Sequence, residues 1–244
     1  MIGRDPQLAG QTLLVIGGSS GIGLATARLA HAEGARMIVT ARDPERVQRA
    51  GLEVEGSIAA FDATDFDRLG RFFDELRSPI DHVLVTGPAP DDPPLAEFDI
   101  DAARRDLEAH LLLPLQVGRD AANKVRPGGT LLFIGCTDGR HAVAGPAFVS
   151  AITAALSAMT RSLAYALAPI RVNVLAAGFV ETPESAAALD VRTRARSAQL
   201  EATLPIQRVV RPADIAALAV HLMANTAVTG ATFEIDGGQQ LIER

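Results

Sequence analysis

Two stretches of the chain carry residue types that could do chemistry. The first is "GGSSGIG": Gly17, Gly18, Ser19, Ser20, Gly21, Ile22 and Gly23. Glycines permit a tight turn and let backbone N–H groups approach a bound group closely. At a helix start those N–H groups lack intrahelical partners and suit an anion. With a strand before and a helix after, the anion this pattern holds is a dinucleotide's pyrophosphate; without those flanks it is an ordinary tight turn. The second stretch is "GCTDGRHA", with Cys136, Thr137, Asp138 and His141. It offers a thiol, a hydroxyl, a carboxylate and an imidazole, and His is the side chain best matched to proton transfer near neutral pH. His110, in "DLEAHLLLP", is another imidazole that could enter from a neighbouring helix. Each has a plain reading too. Cys136 can be a small buried hydrophobe. Asp138 and His141 can cap or solvate a loop, and His110 can be a satisfied core group.

Both stretches follow a β-type apolar run. Such runs recur as TLLVI (12–16), RMIVT (36–40), SIAAF (57–61), HVLVT (82–86), TLLFI (130–134), RVNVL (171–175) and ATFEI (231–235). Helical periodicity marks 21–33, 65–77, 99–125, 147–168 and 212–224, and Asp43 reads as the N-cap of a helix starting at Pro44. Alternating strand and helix implies βαβ units. Strands that are apolar throughout imply a parallel sheet covered on both faces. The spacing therefore predicts an α/β fold: one Rossmann-type doubly wound domain over 1–244, with a mostly parallel seven-stranded sheet. In such a sheet, ligands bind at the carboxyl ends of the strands, where both chemical stretches fall.

The bulk properties exclude other classes. With 244 residues, 48% of them hydrophobic, the chain can bury one sizeable core. Its one cysteine cannot form an internal disulfide. The start, MIGRDPQLAG, has no apolar signal core, and no uninterrupted run of about 18 apolar residues suggests a membrane span. A net charge of -6 argues against a nucleic-acid partner. A soluble cytoplasmic protein without a metal site is expected.

The order of motifs resembles the short-chain dehydrogenases/reductases over essentially the whole length. Gly17-xxx-Gly21-Ile22-Gly23 is similar to their cofactor loop, and "FDATD" (61–65) to the segment whose Asp, here Asp62 with Ala63 beside it, meets the adenine. "AAGFVETP" (176–183) resembles their Pro-Gly segment, with Ala177 in place of the proline; "PADIAALAVHLMAN" and "VTGATFEIDGG" resemble their closing helix and last strand. The resemblance implies that Gly87, Gly178, Val180 and Thr182 also contact the cofactor, and that 179–208 forms a lid over a small-molecule substrate. At the end of the second strand, Ala41 stands where NAD-using members carry Asp, and Arg42 follows. A guanidinium can pair with a 2′-phosphate, so NADP(H) is expected over NAD(H). The resemblance also implies a homo-oligomer, a tetramer, built through the small-residue helix 147–168 and the tail "FEIDGGQQLIER".

The family's proton-handling residues are missing. It uses a Tyr and, four residues on, a Lys whose charge favours the phenolate. This chain has one Tyr, Tyr165, and one Lys, Lys124, far apart and in the wrong order. The resemblance puts Val149 at the Tyr position and Thr153 at the Lys position; a one-residue shift gives Phe148 and Ile152. Cys136 stands at the Ser position, His110 at the Asn position, and "TGPAP" (86–90) replaces an Asn-rich run. Two readings follow. One is an NADP(H)-dependent oxidoreductase with an altered proton relay, acting on a small carbonyl, alcohol or activated alkene. The other is a catalytically inactive nucleotide-binding sensor or assembly subunit.

Overall fold

The computed structural model describes residues 7–77, 79–90, 93–137, 147–181 and 191–242. Seven strands form one parallel sheet: β1 Thr12–Ile16, β2 Arg36–Ala41, β3 Ser57–Ala60, β4 Ile80–Val85, β5 Val125–Cys136, β6 Arg171–Ala177 and β7 Thr232–Ile235. Their order is β3-β2-β1-β4-β5-β6-β7, so the winding reverses between β1 and β4. This is the Rossmann-type α/β architecture expected from the alternating pattern.

The two-residue period of the strands divides the core between the faces of the sheet. Leu13 and Val15 of β1 join one buried cluster with Ala27, Val47, Ile215 and Ala219. These come from helices α1 (Gly21–Ala32), α2 (Pro44–Glu53) and α8 (Pro212–Ala224). Leu14 and Ile16 join the other cluster with Phe73, Val117, Leu156 and Leu163. Those belong to α3 (Phe66–Glu75), α5 (Leu113–Ala121) and α6 (Ala147–Ala166). Two further helices are α4 (Ile100–Leu107) and α7 (Val191–Thr203).

Carboxylates start several helices by accepting from free first-turn N–H groups. Asp43 accepts from Glu45 and Arg46 at α2, as the sequence predicts. Asp65 accepts from Arg68 at α3, and Asp99 from Asp101 and Ala102 at α4. Arg171, buried at the start of β6, donates to the carbonyls of Leu222 and Met223 at 2.7 and 2.8 Å. It thereby closes the C-terminal end of α8.

Some expectations need correction. The periodic stretch 99–125 is not one helix. It is α4, a π-helical turn over Glu108–Leu112, and α5, and Val125 already belongs to β5. Pro114 supplies the reason: without an N–H it cannot donate to the carbonyl of His110, so the turn widens there. The Leu113 N–H then reaches five residues back, to Glu108. Lys124 lies past the end of α5. Its ammonium donates to the carbonyls of Asp74 and Leu76, both at 3.2 Å, at the end of α3. Finally, α6 is long and apolar enough to cross a membrane by composition alone. Here it packs on β5, β6 and the π turn, burying Val149, Ile152, Leu156 and Leu163. Its Ala151, Ala154, Ala158 and Tyr165 are exposed.

Candidate functional site

The crevice at the carboxyl ends of β1 and β4 lies where the strand order reverses, the place such sheets use for ligands. Gly17 ends β1 with φ +85, and its N–H and that of Gly18 donate to the carbonyl of Thr40 at 2.9 and 3.0 Å. A Cβ on Gly17 would sit 2.0 Å from the carbonyl oxygen of Thr86, so any side chain would drive the loop away from β4. A Cβ on Gly23 would meet the Gly17 carbonyl at 2.3 Å, which locks the start of α1 onto the same loop.

These contacts engage the N–H groups of Gly17 and Gly18 within the fold. The bond from Leu24 N–H to the Ser20 carbonyl lies beyond the N–H groups of Gly21, Ile22 and Gly23. Those three precede the helix ladder and face the crevice end of α1. The first turn of α1 has no acidic residue, and Ser20 makes no side-chain capping bond. Ser19 and Ser20 are half-exposed. A diphosphate fits this cradle: it meets open donors, the positive end of the helix dipole and no opposing carboxylate.

Along the same edge, Arg42 is exposed just past β2 and Asp62 just past β3. Burial raises the Asp62 pKa, but hydrogen bonds from the Thr64 N–H (2.9 Å) and Oγ1 (2.7 Å), with the Arg42 charge, hold it below the ordinary carboxylate value. Ala41 pairs in register with Ala60, so Arg42 and Asp62 leave neighbouring strand ends. Ala63 is half-buried against the core. Gly87 is exposed after β4, followed by Pro88, which has no N–H to offer.

At the exit of β5, Cys136 is half-buried and pairs in register with Ala177 of β6. Thr137 is buried; its N–H donates to the Ala177 carbonyl at 2.9 Å, and its Oγ1 finds no partner among the described residues. Next to it along the edge run Gly178, Phe179 and Val180. Asp138, His141 and Thr182 lie outside the described residues.

His110 sits in the π turn, which packs against α6. Its Nε2 is buried without a partner among the described residues. Burial lowers its pKa, opposed in part by the charge of Asp106, so the imidazole is neutral near pH 7. Val149 and Thr153, one turn apart on α6, are 3% and 7% exposed. Tyr165 is 91% exposed on the outer face of the same helix, and Lys124 is at the far end of the sheet, so neither joins the crevice.

A family model described as enoyl-(acyl carrier protein) reductase matches residues 16–240. The chain belongs to the short-chain dehydrogenase/reductase family. Among members of this family, it is 31% identical to the short-chain dehydrogenase/reductase ATR9 of Stachybotrys chlorohalonatus, covering 96% of this chain and 98% of that protein. It is 34% identical to the cis-4-hydroxycyclohexanecarboxylate dehydrogenase of Sinomonas cyclohexanicum, covering 94% and 96%. Among solved structures it is similar to BdcA in complex with NADPH, with a TM-score of 0.83 and 28% identity over 95% of each chain. Short-chain dehydrogenases/reductases are oxidoreductases, and this chain shares their sheet order, glycine loop and closing segments. Sequence reasoning missed one residue at this edge, Gln239, whose Oε1 accepts the Phe179 N–H at 2.8 Å. No periodicity or motif announces such a long-range side-chain contact.

Proposed function

We propose that the chain is an NADP(H)-dependent oxidoreductase that works on a small carbonyl, alcohol or activated alkene with an altered proton relay. The observation that carries this reading is the cradle formed by the open N–H groups of Gly21–Gly23, with Arg42 in place beyond β2 and Ala41 where a ribose-binding carboxylate would stand. When bound, the nicotinamide supplies or accepts the hydride. The chain's own residues bind and orient. The α1 N-terminus and Ser19–Ser20 take the diphosphate, and the Arg42 guanidinium takes the 2′-phosphate. Asp62 and Ala63 bound the adenine. Gly87, Gly178 and Val180 contact the nicotinamide end; the sequence adds Thr182, which lies outside the described residues.

The proton must come from elsewhere than a phenol, since Val149 carries no ionisable group. Cys136 ends β5 and Thr137 follows it, and the buried Thr137 Oγ1 is a hydroxyl with a donor to offer; the sequence adds Asp138 and His141, which lie outside the described residues. His110, neutral behind α6, offers an imidazole nitrogen. Reduction of a polarised C=C asks least of the missing pair, because its proton goes to carbon and water can supply it. The enoyl reductase description of the matching family model favours that substrate class. General acid catalysis is worth about 10²–10⁴-fold, so a slow reaction survives its loss.

The buried Val149 and Thr153 favour a second reading, a nucleotide-binding sensor or assembly subunit without turnover. One experiment separates them: titrate NADPH binding, then follow NADPH oxidation with enones, enoyl thioesters and ketones. Turnover of an alkene supports the first reading; tight binding with no turnover on any of these supports the second. Self-association, as a tetramer through the exposed small-residue face of α6, is proposed alongside either reading.

A further inference from the structure

The segment 178–181 leaves β6 and is gripped from two sides. On one side, the Gly178 N–H donates to the Ile235 carbonyl of β7 at 3.2 Å, and the Phe179 N–H donates to Gln239 Oε1 at 2.8 Å. Gln239 is 3% exposed, so its end of this bond is buried. The fit is close: a Cβ on Gly178 would lie 2.6 Å from Asp236 Cβ and 2.8 Å from Gln239 Oε1. On the other side, Val180 bridges Val210, and the Glu181 N–H donates to the Val210 carbonyl at 3.2 Å.

The turn that carries Gln239 is itself built for rigidity. The Asp236 carboxylate accepts from the N–H groups of Gly238 (2.8 Å) and Gln240 (3.1 Å). Gly237 and Gly238 both adopt positive φ, and Ile206 and Pro205 lie against them. Pro205 and Ile206 follow α7 after Leu204. The turn after β7, the connection after α7 and the segment 178–181 therefore form one packed unit beside the nicotinamide end of the crevice.

We propose that Gln239 is a positioning residue for the nicotinamide end of the cofactor: its side chain holds the Phe179 N–H and so fixes the backbone of Gly178–Val180. This rests on the NADP(H) reading above. Losing the acceptor removes the side-chain partner of the Phe179 N–H and frees the segment to shift. The adenosine end is held by α1, Arg42 and Asp62, at β1 to β3 on the other half of the sheet from β6 and β7, and keeps its grip.

That asymmetry gives the test. Dissociation constants are measured for NADPH and for 2′-phospho-ADP-ribose, which lacks only the nicotinamide, with wild type, Gln239→Leu and Gln239→Glu. Gln239→Leu is expected to weaken NADPH about 3- to 10-fold while 2′-phospho-ADP-ribose changes less than about 2-fold. Gln239→Glu keeps an acceptor oxygen at the same reach and is expected to recover most of the loss. Equal weakening of both ligands, or no change in either, would overturn the proposal. Should Gln239→Leu not fold, amide exchange in wild type decides: the Phe179 N–H must gain further protection with NADPH and not with 2′-phospho-ADP-ribose, and equal protection overturns it. Wild type that binds neither ligand would overturn the nucleotide reading itself, a distinct failure.

Discussion

Acid should unfold this protein through one histidine. His82 is 2% exposed in β4, in the middle of the sheet. Its Nε2 lies 2.5 Å from Gln11 Oε1, and its Nδ1 has no partner among the described residues. Its register partner on β5, Thr130, is fully buried and likewise holds an unpartnered hydroxyl. Burial pulls the His82 pKa down from the ordinary 6.5 to about 4; the Asp81 charge pulls it up, and Arg171 adds to the lowering. The native ring is neutral, and the unfolded chain binds the extra proton between pH 4 and 6.5. Stability from this group is thus fully present above pH 6.5 and is lost as pH falls toward about 4. At about 1.4 kcal/mol per tenfold change in the proton equilibrium, the loss reaches about 2.5 kcal/mol at pH 4.5. The assay is urea unfolding of wild type and His82→Gln at pH 7.5 and 4.5, with the NMR titration of the His82 ring as a direct check. The wild type should lose about 2.5 kcal/mol more than the variant over that interval. Equal losses to within about 0.5 kcal/mol, or a native ring that titrates near 6.5, would refute the reasoning.

Three further outcomes are expected. Arg42→Ala should weaken NADPH about tenfold or more and leave NADH nearly unchanged, read from dissociation constants; an unchanged ratio would remove Arg42 from the 2′-phosphate site. Ordinary ketones should turn over very slowly or not at all with wild type, and faster with Val149→Tyr combined with Thr153→Lys. Brisk wild-type ketone reduction would show that the proton donor is already complete. Light scattering at micromolar concentration should give the mass of a tetramer, and a monomer would exclude assembly through the α6 face.

The sequence by itself determined the fold class: strand and helix alternating into a mostly parallel, doubly wound sheet. Apolar runs such as TLLVI and RVNVL are too short for helices and rich in branched residues, so they read as strands buried on both faces. The glycines of "GGSSGIG" marked a tight crossing, because only residues without Cβ let β1, α1 and β4 approach so closely. The absence of a Tyr-Lys pair was legible by counting alone. What needed the tertiary structure were contacts between residues distant in sequence. The π turn at His110 depends on a helix that must pass Pro114 and still pack on α6. Lys124 closes α3, some 48 residues earlier. His82 becomes a neutral ring because the folded layers bury it in a central strand between β1 and β5. Gln239 reaches Phe179 across 60 residues. Local periodicity reports which way a residue faces, but the partner it meets there is set by how the layers dock, and no short-range pattern in the chain encodes that distance.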